Sequence, residues 1–181
     1  MTWSLAVYCG SRHGRLEAYT QAARSVGWAV AGCGGRLVYG GGRVGLMGEV
    51  ANAALERGAT VLGVIPESLM AWEVGHTGLS HLEVVADMAT RKQRMAQAAD
   101  AFLALPGGIG TLEELMEMWS WQALGLHRKP IGVLNVDGYY DTLWRFMQHT
   151  VDEGFMAPGL KDSVCMDDNA ERLVQRLKSA A

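Results

Sequence analysis

The sequence predicts an α/β fold in which one parallel sheet is covered by helices on both faces. Short apolar segments of strand length alternate with longer segments of helical periodicity along the chain. Two of the short segments enter glycine-rich turns that lead into a helix, which is the order of a parallel βαβ unit. The 181 residues, 49% of them hydrophobic, suffice for one full core. We therefore expect a single-domain, doubly wound, Rossmann-like fold over residues 1–181.

Each predicted strand is a short apolar run bounded by glycine, proline or polar residues. Pro66, for example, closes the third run, and Lys129 and Pro130 precede the sixth. In chain order, the predicted strands are 4–9, 36–39, 60–65, 82–85, 101–105, 131–135 and 164–166. The segment 67–80 between the third and fourth strands is irregular, and loops of that length inside a compact domain are usually functional.

Each predicted helix carries apolar residues three or four positions apart, and glycine ends the first two at Gly32 and Gly58. In chain order, the predicted helices are 16–31, 46–57, 89–98, 112–124, 140–153 and 169–178. In doubly wound folds ligands bind outside the carboxyl ends of the strands, so both glycine turns should lie at the binding edge of the sheet.

The glycine turn after the fifth predicted strand, LPGGIGTLEE over 105–114, is the most informative stretch. Gly107, Gly108 and Gly110 let the backbone approach a ligand, and the N–H groups of the following helix point into the turn. This arrangement favours an anion, most often a phosphate. The spacing of Thr111 and Glu114 permits two interpretations: a capping box, or a functional carboxylate beside the phosphate site.

A second glycine turn, Gly40-x-Gly42-x-x-Gly45, also joins a strand to a helix. With Glu67 past the next strand, it fits a dinucleotide fingerprint, and the alternative is tight helix packing without a ligand. Neither glycine turn is followed by Gly-Lys-Ser/Thr, which excludes a Walker-type ATP site.

Three further positions have both a functional and a structural interpretation. Arg91 and Lys92 are either ligand contacts or part of a solvated helix face, and Ser11 either contacts a ligand or caps the first helix.

The formal net charge of −3 argues against a general role on nucleic acid. The widely spaced cysteines and histidines predict neither a metal site nor a disulfide. No apolar run is long enough to span a bilayer, so we expect a cytoplasmic protein without a membrane anchor.

The motifs together resemble the LOG ("Lonely guy") family of cytokinin riboside 5'-monophosphate phosphoribohydrolases, whose bacterial members have often been labelled lysine decarboxylases. The 106–114 stretch matches the family's PGGxGTxxE motif. Supporting matches, in the family's order, are Cys9-Gly10-Ser11, Tyr39-Gly40-Gly41-Gly42, Gly45-Leu46-Met47-Gly48, Ala86-Asp87-Met88 with Arg91-Lys92, and Asn135-Val136-Asp137-Gly138-Tyr139-Tyr140. The glycine loop by itself also resembles that of molybdenum-cofactor carrier proteins.

The resemblance implies hydrolysis of the N-glycosidic bond of AMP or N6-substituted AMP, without a cofactor, in a homodimer or higher homo-oligomer. Arg91 and Glu114 match the catalytic pair. The residues implied or considered as substrate contacts are Ser11, Gly41, Gly42, Glu73, Lys92, Gly107, Gly108, Gly110, Thr111, Glu113 and Ser120. Ser120 stands where the family pattern has threonine. The amino-acid sequence around Ala71 and Trp72 also departs from the one that is commoner in the family. The sequence contains no clear pyridoxal phosphate motif, so a decarboxylase has no support from the residues.

The positive charge that develops on the sugar during the reaction suggests how such a site would work. Cleaving an N-glycosidic bond builds positive charge on the sugar, which a carboxylate near C1' stabilises while it positions or deprotonates water. Glu114 is the candidate for this role, and Arg91 would orient the substrate through a bidentate contact and keep Glu114 ionised. Two other functions stay open: a non-catalytic nucleotide or molybdenum-cofactor carrier, and an NAD-type oxidoreductase.

Overall fold

All seven predicted strands are present, and they form one parallel sheet. The computed structural model of the chain describes residues 2–70 and 75–181. The strands are β1 (Ser4–Tyr8), β2 (Arg36–Tyr39), β3 (Val61–Pro66), β4 (His81–Val85), β5 (Ala101–Ala104), β6 (Ile131–Leu134) and β7 (Val164–Asp167). The helices are α1 (Glu17–Gly32), α2 (Gly45–Glu56), α3 (Glu67–Met70), α4 (Met88–Ala98), α5 (Ile109–Ala123), α6 (Asp141–Asp152), α7 (Pro158–Asp162) and α8 (Ala170–Ala180).

The strand order, β4-β3-β2-β1-β5-β6-β7, determines where a ligand can bind. The chain builds outward from β1 to β4 and then returns to place β5 on the other side of β1, where Tyr8 pairs with Ala104. The loops that follow β1 and β5 therefore depart in opposite directions from neighbouring strands. Such a switch point opens a crevice at the carboxyl ends of the strands.

Side chains of the sheet alternate between two buried cores, which confirms the doubly wound prediction. Leu5 and Val7 of β1 belong to the core that includes residues of α1, α2 and α8. Ala6 and Tyr8 point to the other face, where residues of α4, α5 and α6 pack. A parallel sheet covered on both faces explains why the strands are apolar at successive positions.

The structure differs from the sequence prediction mainly in short elements and helix ends. The single turns α3 and α7 and a 3₁₀ turn at Val136–Gly138 were not predicted, because three to five residues are too few to show a helical period. Helix α5 begins at Ile109, before the predicted start at residue 112. Within the described residues, no helix has the length and apolar character needed to cross a bilayer.

Candidate active site

The loops after β1 and β5 meet at the switch point and line a cavity there. The Gly10 N–H donates to the Pro106 carbonyl at 3.1 Å, which ties the two loops together. The cavity has a volume of about 560 Å³. It is lined by Cys9, Gly10, Ser11, Arg12, His13, Gly14, Tyr19, Leu46, Met47, Leu69, Met88, Arg91, Pro106, Gly107, Gly108, Ile109, Gly110, Thr111, Glu113, Glu114 and Tyr139.

The N-terminal residues of helix α5 line this cavity. Gly108 is the N-cap and has no side chain to cap the helix, while its carbonyl accepts from the Leu112 N–H. The preceding N–H groups of the first turn have no intrahelical acceptor, so they and the helix dipole favour an anion at this point. The sequence prediction of an anion site at the glycine turn thus agrees with the placement of the helix.

The capping-box interpretation of Thr111 and Glu114 is wrong. Because Gly108 is the N-cap, Thr111 lies at the third helical position rather than outside the helix. The Thr111 side chain is buried and lies against Gly107, where an added Cβ would stand 2.0 Å from the Thr111 Oγ1. Thr111 therefore fits a glycine at position 107, and Glu114 lies in the second turn of α5 and lines the cavity.

Arg91 is buried and lines the cavity. Its side chain is only 5% exposed, so the solvated-face interpretation is wrong. The Nε donates to the Val64 carbonyl at 3.1 Å and the Nη2 donates to the Gly40 carbonyl at 3.0 Å. An added Cβ at Gly40 would lie 1.8 Å from Nη2. The sheet edge thus holds the guanidinium in place, and its Nε–Nη2 side, already bonded to carbonyls, does not face a ligand.

Lys92, next to Arg91, connects helix α4 to helix α5. Its ammonium pairs with Glu113 and, at 3.0 Å, with Glu117. These hydrogen bonds, first of all the one to Glu113, raise the pKa of Lys92, so it stays charged. The structure therefore pairs Lys92 with Glu113, and of these two predicted contacts Glu113 lines the cavity whereas Lys92 does not.

Tyr8, the last residue of β1, has a raised pKa. Burial raises its pKa well above the ordinary value, and the negative charges of Glu114, Glu117 and Glu113 raise it further, whereas Arg91 lowers it. Tyr8 consequently remains a neutral phenol.

The second glycine turn serves packing rather than the cavity surface. Gly41 has φ 79° and lies against Ile65, and Gly42 pairs with Gly75 in an isolated bridge. Both are buried and neither lines the cavity, so the structure does not bring these two predicted contacts to the site.

The N-terminus of α2 faces the loop after β1, which leaves no open place for a dinucleotide pyrophosphate. An added Cβ at Gly45 would lie 2.3 Å from the Ser11 carbonyl carbon, and the Met47 N–H donates to the Gly10 carbonyl at 3.3 Å. Glu67 is exposed on α3. The arrangement supports the packing interpretation of this glycine motif over the dinucleotide interpretation.

The three remaining predicted contacts are Ser120, Glu73 and Ser11. Ser120 is exposed on the fourth turn of α5 and is not among the residues that line the cavity. Glu73 falls in 71–74, outside the residues that the structure describes. Ser11 does line the cavity, as predicted.

Sequence reasoning missed several residues that line the cavity. Arg12 and His13 add exposed basic side chains beside Ser11, and Leu69 and Met88 add apolar surface. Tyr139 was visible only as part of the Asn135–Tyr140 motif, which gave no indication of its position. Among the described residues, no cluster of histidine, cysteine and acidic side chains could hold a metal ion.

Comparisons with known proteins identify the family of this chain. A family model described as "possible lysine decarboxylase" matches residues 47–177. The cytokinin riboside 5'-monophosphate phosphoribohydrolase LOG7 of Arabidopsis thaliana is 48% identical over 174 residues, covering 96% of this chain and 80% of the relative. The enzyme of the same name from Rhodococcoides fascians is 48% identical over 177 residues, covering 97% and 89%.

Solved structures with a similar fold include the molybdenum cofactor carrier protein of Chlamydomonas reinhardtii, with a TM-score of 0.75 and 21% identity over 99% of this chain and 98% of that one. The molybdenum cofactor binding protein of Rippkaea orientalis gives 0.74 and 19%, over 99% and 97%. At these identities the similarity shows the fold alone. The family model and the 48% identity to relatives over nearly the whole of this chain show that it belongs to the LOG family of cytokinin riboside 5'-monophosphate phosphoribohydrolases.

Proposed function

We propose that the protein hydrolyses the N-glycosidic bond of AMP-type nucleotides, releasing a free adenine or N6-substituted adenine and ribose 5-phosphate. One observation carries the proposal: an uncapped helix N-terminus and a carboxylate, Glu114, line the same cavity from the same helix. The names of the relatives at 48% identity support this substrate class and a role in cytokinin activation.

The phosphate end of the substrate would bind at the start of α5. Gly108 and Gly110 are exposed, and an added Cβ at either position meets no atom within 4 Å, so there is open space beside this part of the backbone. Arg12 and His13 bring basic groups to the same cavity. Both features favour a dianion over a neutral sugar.

The sugar would then extend along the first turns of the helix toward Glu114. Glu114 follows Ile109 by five residues, which corresponds to roughly 7.5 Å along the helix axis. Water would add its oxygen to C1' as the bond from C1' to the base nitrogen breaks and its electron pair leaves with the base. Glu114 would stabilise the oxocarbenium-like transition state and accept a proton from water, and the leaving base would take up a proton.

Arg91 would act as a fixed positive charge. Its Nε and Nη2 donate to the carbonyls of Val64 and Gly40, and its Nη1 donates to the Met88 Sδ at 3.6 Å, so we replace the predicted bidentate contact with a role that rests on the charge of the guanidinium. A buried guanidinium keeps its charge and favours the ionised form of a nearby carboxylate. Ser11, Thr111 and Glu113 would contact the substrate from the cavity wall, with Lys92 holding Glu113 in place.

We also propose a homo-oligomer that works in the cytoplasm. Several large apolar side chains are exposed, among them Leu124, Leu126 and Phe155, and such surface usually meets a partner. Cys9, Cys33 and Cys165 form no disulfide with one another, which suits a reducing compartment.

The decisive experiment incubates the protein with AMP, isopentenyl-AMP, their nucleosides and lysine, and separates the products by chromatography. We expect free base from the 5'-monophosphates and little from the nucleosides, because binding energy at the phosphate is used at the sugar. Nucleotide binding without turnover would favour a carrier. Equal kcat/KM for AMP and adenosine would contradict the role of the phosphate, and release of carbon dioxide from lysine would favour a decarboxylase.

A further inference from the structure

The loop between β6 and α6 reaches across to the glycine turn of the cavity. It contains the 3₁₀ turn Val136–Gly138, in which Asp137 has φ 51° and ψ 39°. A non-glycine residue in this left-handed region is disfavoured and persists only when its surroundings hold it. The Asn135 side chain provides that hold: its Oδ1 accepts from the Tyr140 N–H at 2.8 Å and its Nδ2 donates to Asp141 at 2.7 Å.

Two tyrosines that follow this 3₁₀ turn contact the segment after β5. The Tyr140 hydroxyl donates to the Leu105 carbonyl at 2.6 Å, and the Tyr139 hydroxyl donates to the Gly107 carbonyl at 2.5 Å. The Pro106 carbonyl between them accepts from Gly10. Three successive carbonyls of the turn are therefore bonded to groups outside it.

The bond from Tyr139 acts where the backbone is least restricted. Gly107 and Gly108 are consecutive glycines with no Cβ to limit their dihedral angles, so their shared peptide is free to rotate unless it is held. In a trans peptide the C=O and N–H point in opposite directions. A hydroxyl that fixes the Gly107 carbonyl therefore also fixes the direction of the Gly108 N–H, at the N-cap of α5.

The two tyrosines differ in burial, which separates their roles. Tyr140 is 1% exposed and belongs to the core, whereas Tyr139 is 41% exposed and lines the cavity. The Tyr139 ring is held by edge-to-face contacts with Tyr19, at 5.6 Å between centroids, and with Tyr140, at 5.0 Å. Its hydroxyl is thus presented to the glycine turn by a rigid aromatic group.

We propose that Tyr139 is a positioning residue of this site, whose hydroxyl orients the Gly107–Gly108 peptide so that the N-terminus of α5 is ready for a phosphate. The inference rests on the proposed function, in which that phosphate belongs to the substrate. It assigns Tyr139 no contact with the reacting atoms. Its effect should consequently appear in phosphate affinity and KM rather than in kcat.

The test compares Tyr139→Phe with Tyr140→Phe, since each removes one hydroxyl from the same loop. For Tyr139→Phe we expect a three- to tenfold rise in KM for AMP or isopentenyl-AMP, and the same loss of affinity for ribose 5-phosphate in calorimetry. The kcat should stay within about twofold, and Tm should change little because the ring is retained. For Tyr140→Phe we expect a lower Tm, and, well below that Tm, wild-type affinity for ribose 5-phosphate.

Amide hydrogen exchange by NMR gives a second measurement that needs no substrate. The Gly108 and Ile109 N–H groups should exchange faster in Tyr139→Phe than in the wild type. Unchanged exchange together with unchanged ribose 5-phosphate affinity would overturn the proposal, as would a fall in kcat at constant KM. If the wild type releases no base, the proposed function fails, yet calorimetry and exchange still decide whether Tyr139 positions the turn.

Discussion

At the scale of single residues, Glu114 is the group on which the mechanism depends. Its position in the second turn of α5 excludes the helix cap that its spacing from Thr111 suggested. Catalysis and stability should therefore separate at this residue, because a glutamate that is not a cap contributes little to holding the helix end. A change that keeps its shape and removes its charge is the appropriate probe.

Glu114→Gln should lower kcat by roughly a hundredfold or more, since the negative charge opposite the developing cation is lost. The free energy of unfolding should change by less than about 1 kcal/mol. Steady-state kinetics and thermal unfolding measure the two effects. Glu56→Gln, at the end of α2, is the matched control: it alters an ion pair with Arg24 of α1 and should leave kcat unchanged. A Glu114→Gln enzyme with nearly normal kcat would remove the central group of the mechanism.

Arg91 and Tyr139 show what a single sequence does not reveal at this scale. The Arg91-Lys92 pair looked equally like a ligand contact or a solvated face, because the burial of Arg91 depends on the approach of α4 to the ends of β2 and β3. Only that approach brings the Gly40 and Val64 carbonyls to the guanidinium. Tyr139 was similarly undetermined, since its contact with Gly107 joins positions 32 residues apart.

At the scale of elements, the turn between β5 and α5 contains glycines of two kinds. Gly107 has no room for a side chain, because an added Cβ would lie 2.0 Å from Thr111 Oγ1 and 2.8 Å from the Gly10 nitrogen. At Gly108 an added Cβ meets no atom within 4 Å, and φ −89° with ψ −155° is open to any residue. The first glycine is required by packing, and the second leaves space for a ligand.

Replacing each glycine by alanine should therefore give opposite results. Gly107→Ala should reduce the free energy of unfolding by about 1–3 kcal/mol, the usual cost of an added atom in a packed place. Gly108→Ala should unfold like the wild type and bind AMP more weakly, because its methyl group projects into open space beside the helix N-terminus. Chemical denaturation and calorimetry distinguish the two. Normal AMP affinity in Gly108→Ala would contradict a phosphate at this position.

The elements themselves were largely predictable, whereas their ends were not. The strands are mostly apolar and buried, apart from β4, in which His81 and Val84 are exposed, and the long helices have a clear period, so the pattern located them. The start of α5 was placed too late because a threonine is a better N-cap than a glycine by propensity. In the structure, Thr111 packs on Gly107 instead, a contact that no local rule contains.

At the scale of the whole molecule, two histidines make stability depend on pH. His76 is buried, its Nδ1 accepts from the Gly78 N–H at 3.1 Å, and its Nε2 lies 2.9 Å from the Asn52 Oδ1. Burial lowers the pKa of His76, and burial also lowers the pKa of His127. The folded protein thus favours neutral rings, while the unfolded chain takes up protons below a pKa of about 6.5.

The stabilisation from neutral His76 should be complete above pH 6.5 and should decrease as the pH falls below that value. Between pH 7.5 and 5.5 we expect the free energy of unfolding to decrease, with His76 contributing part of that decrease. His76→Gln should remove this part of the pH dependence, and His81→Gln, at an exposed position, should not. Urea unfolding at the two pH values measures it, and equal slopes for wild type and His76→Gln would refute the assignment.

The oligomeric state is the second property of the whole molecule that can be tested. Of the large apolar residues on α5, Met118 and Trp119 are buried within the chain, and Trp119 stacks on Trp144 of α6. Leu124 and Leu126, at the end of α5 and just after it, are exposed.

We expect light scattering at micromolar concentration to give the mass of at least two chains. Replacing Leu124 and Leu126 together by lysine should lower the mass, whereas Val84→Lys on β4, also an exposed apolar position, should not. The mass of a single chain for the wild type would contradict the proposal.

The contact between Arg91 and Gly40 also restricts the order in which this fold can change during evolution. Any larger residue at position 40 would collide with the guanidinium, since an added Cβ would stand 1.8 Å from Nη2. A lineage that first loses the arginine frees position 40 to vary, but one that first changes the glycine displaces the arginine and loses the site. The two substitutions are therefore epistatic, and paths toward new activities on this scaffold should begin at position 91.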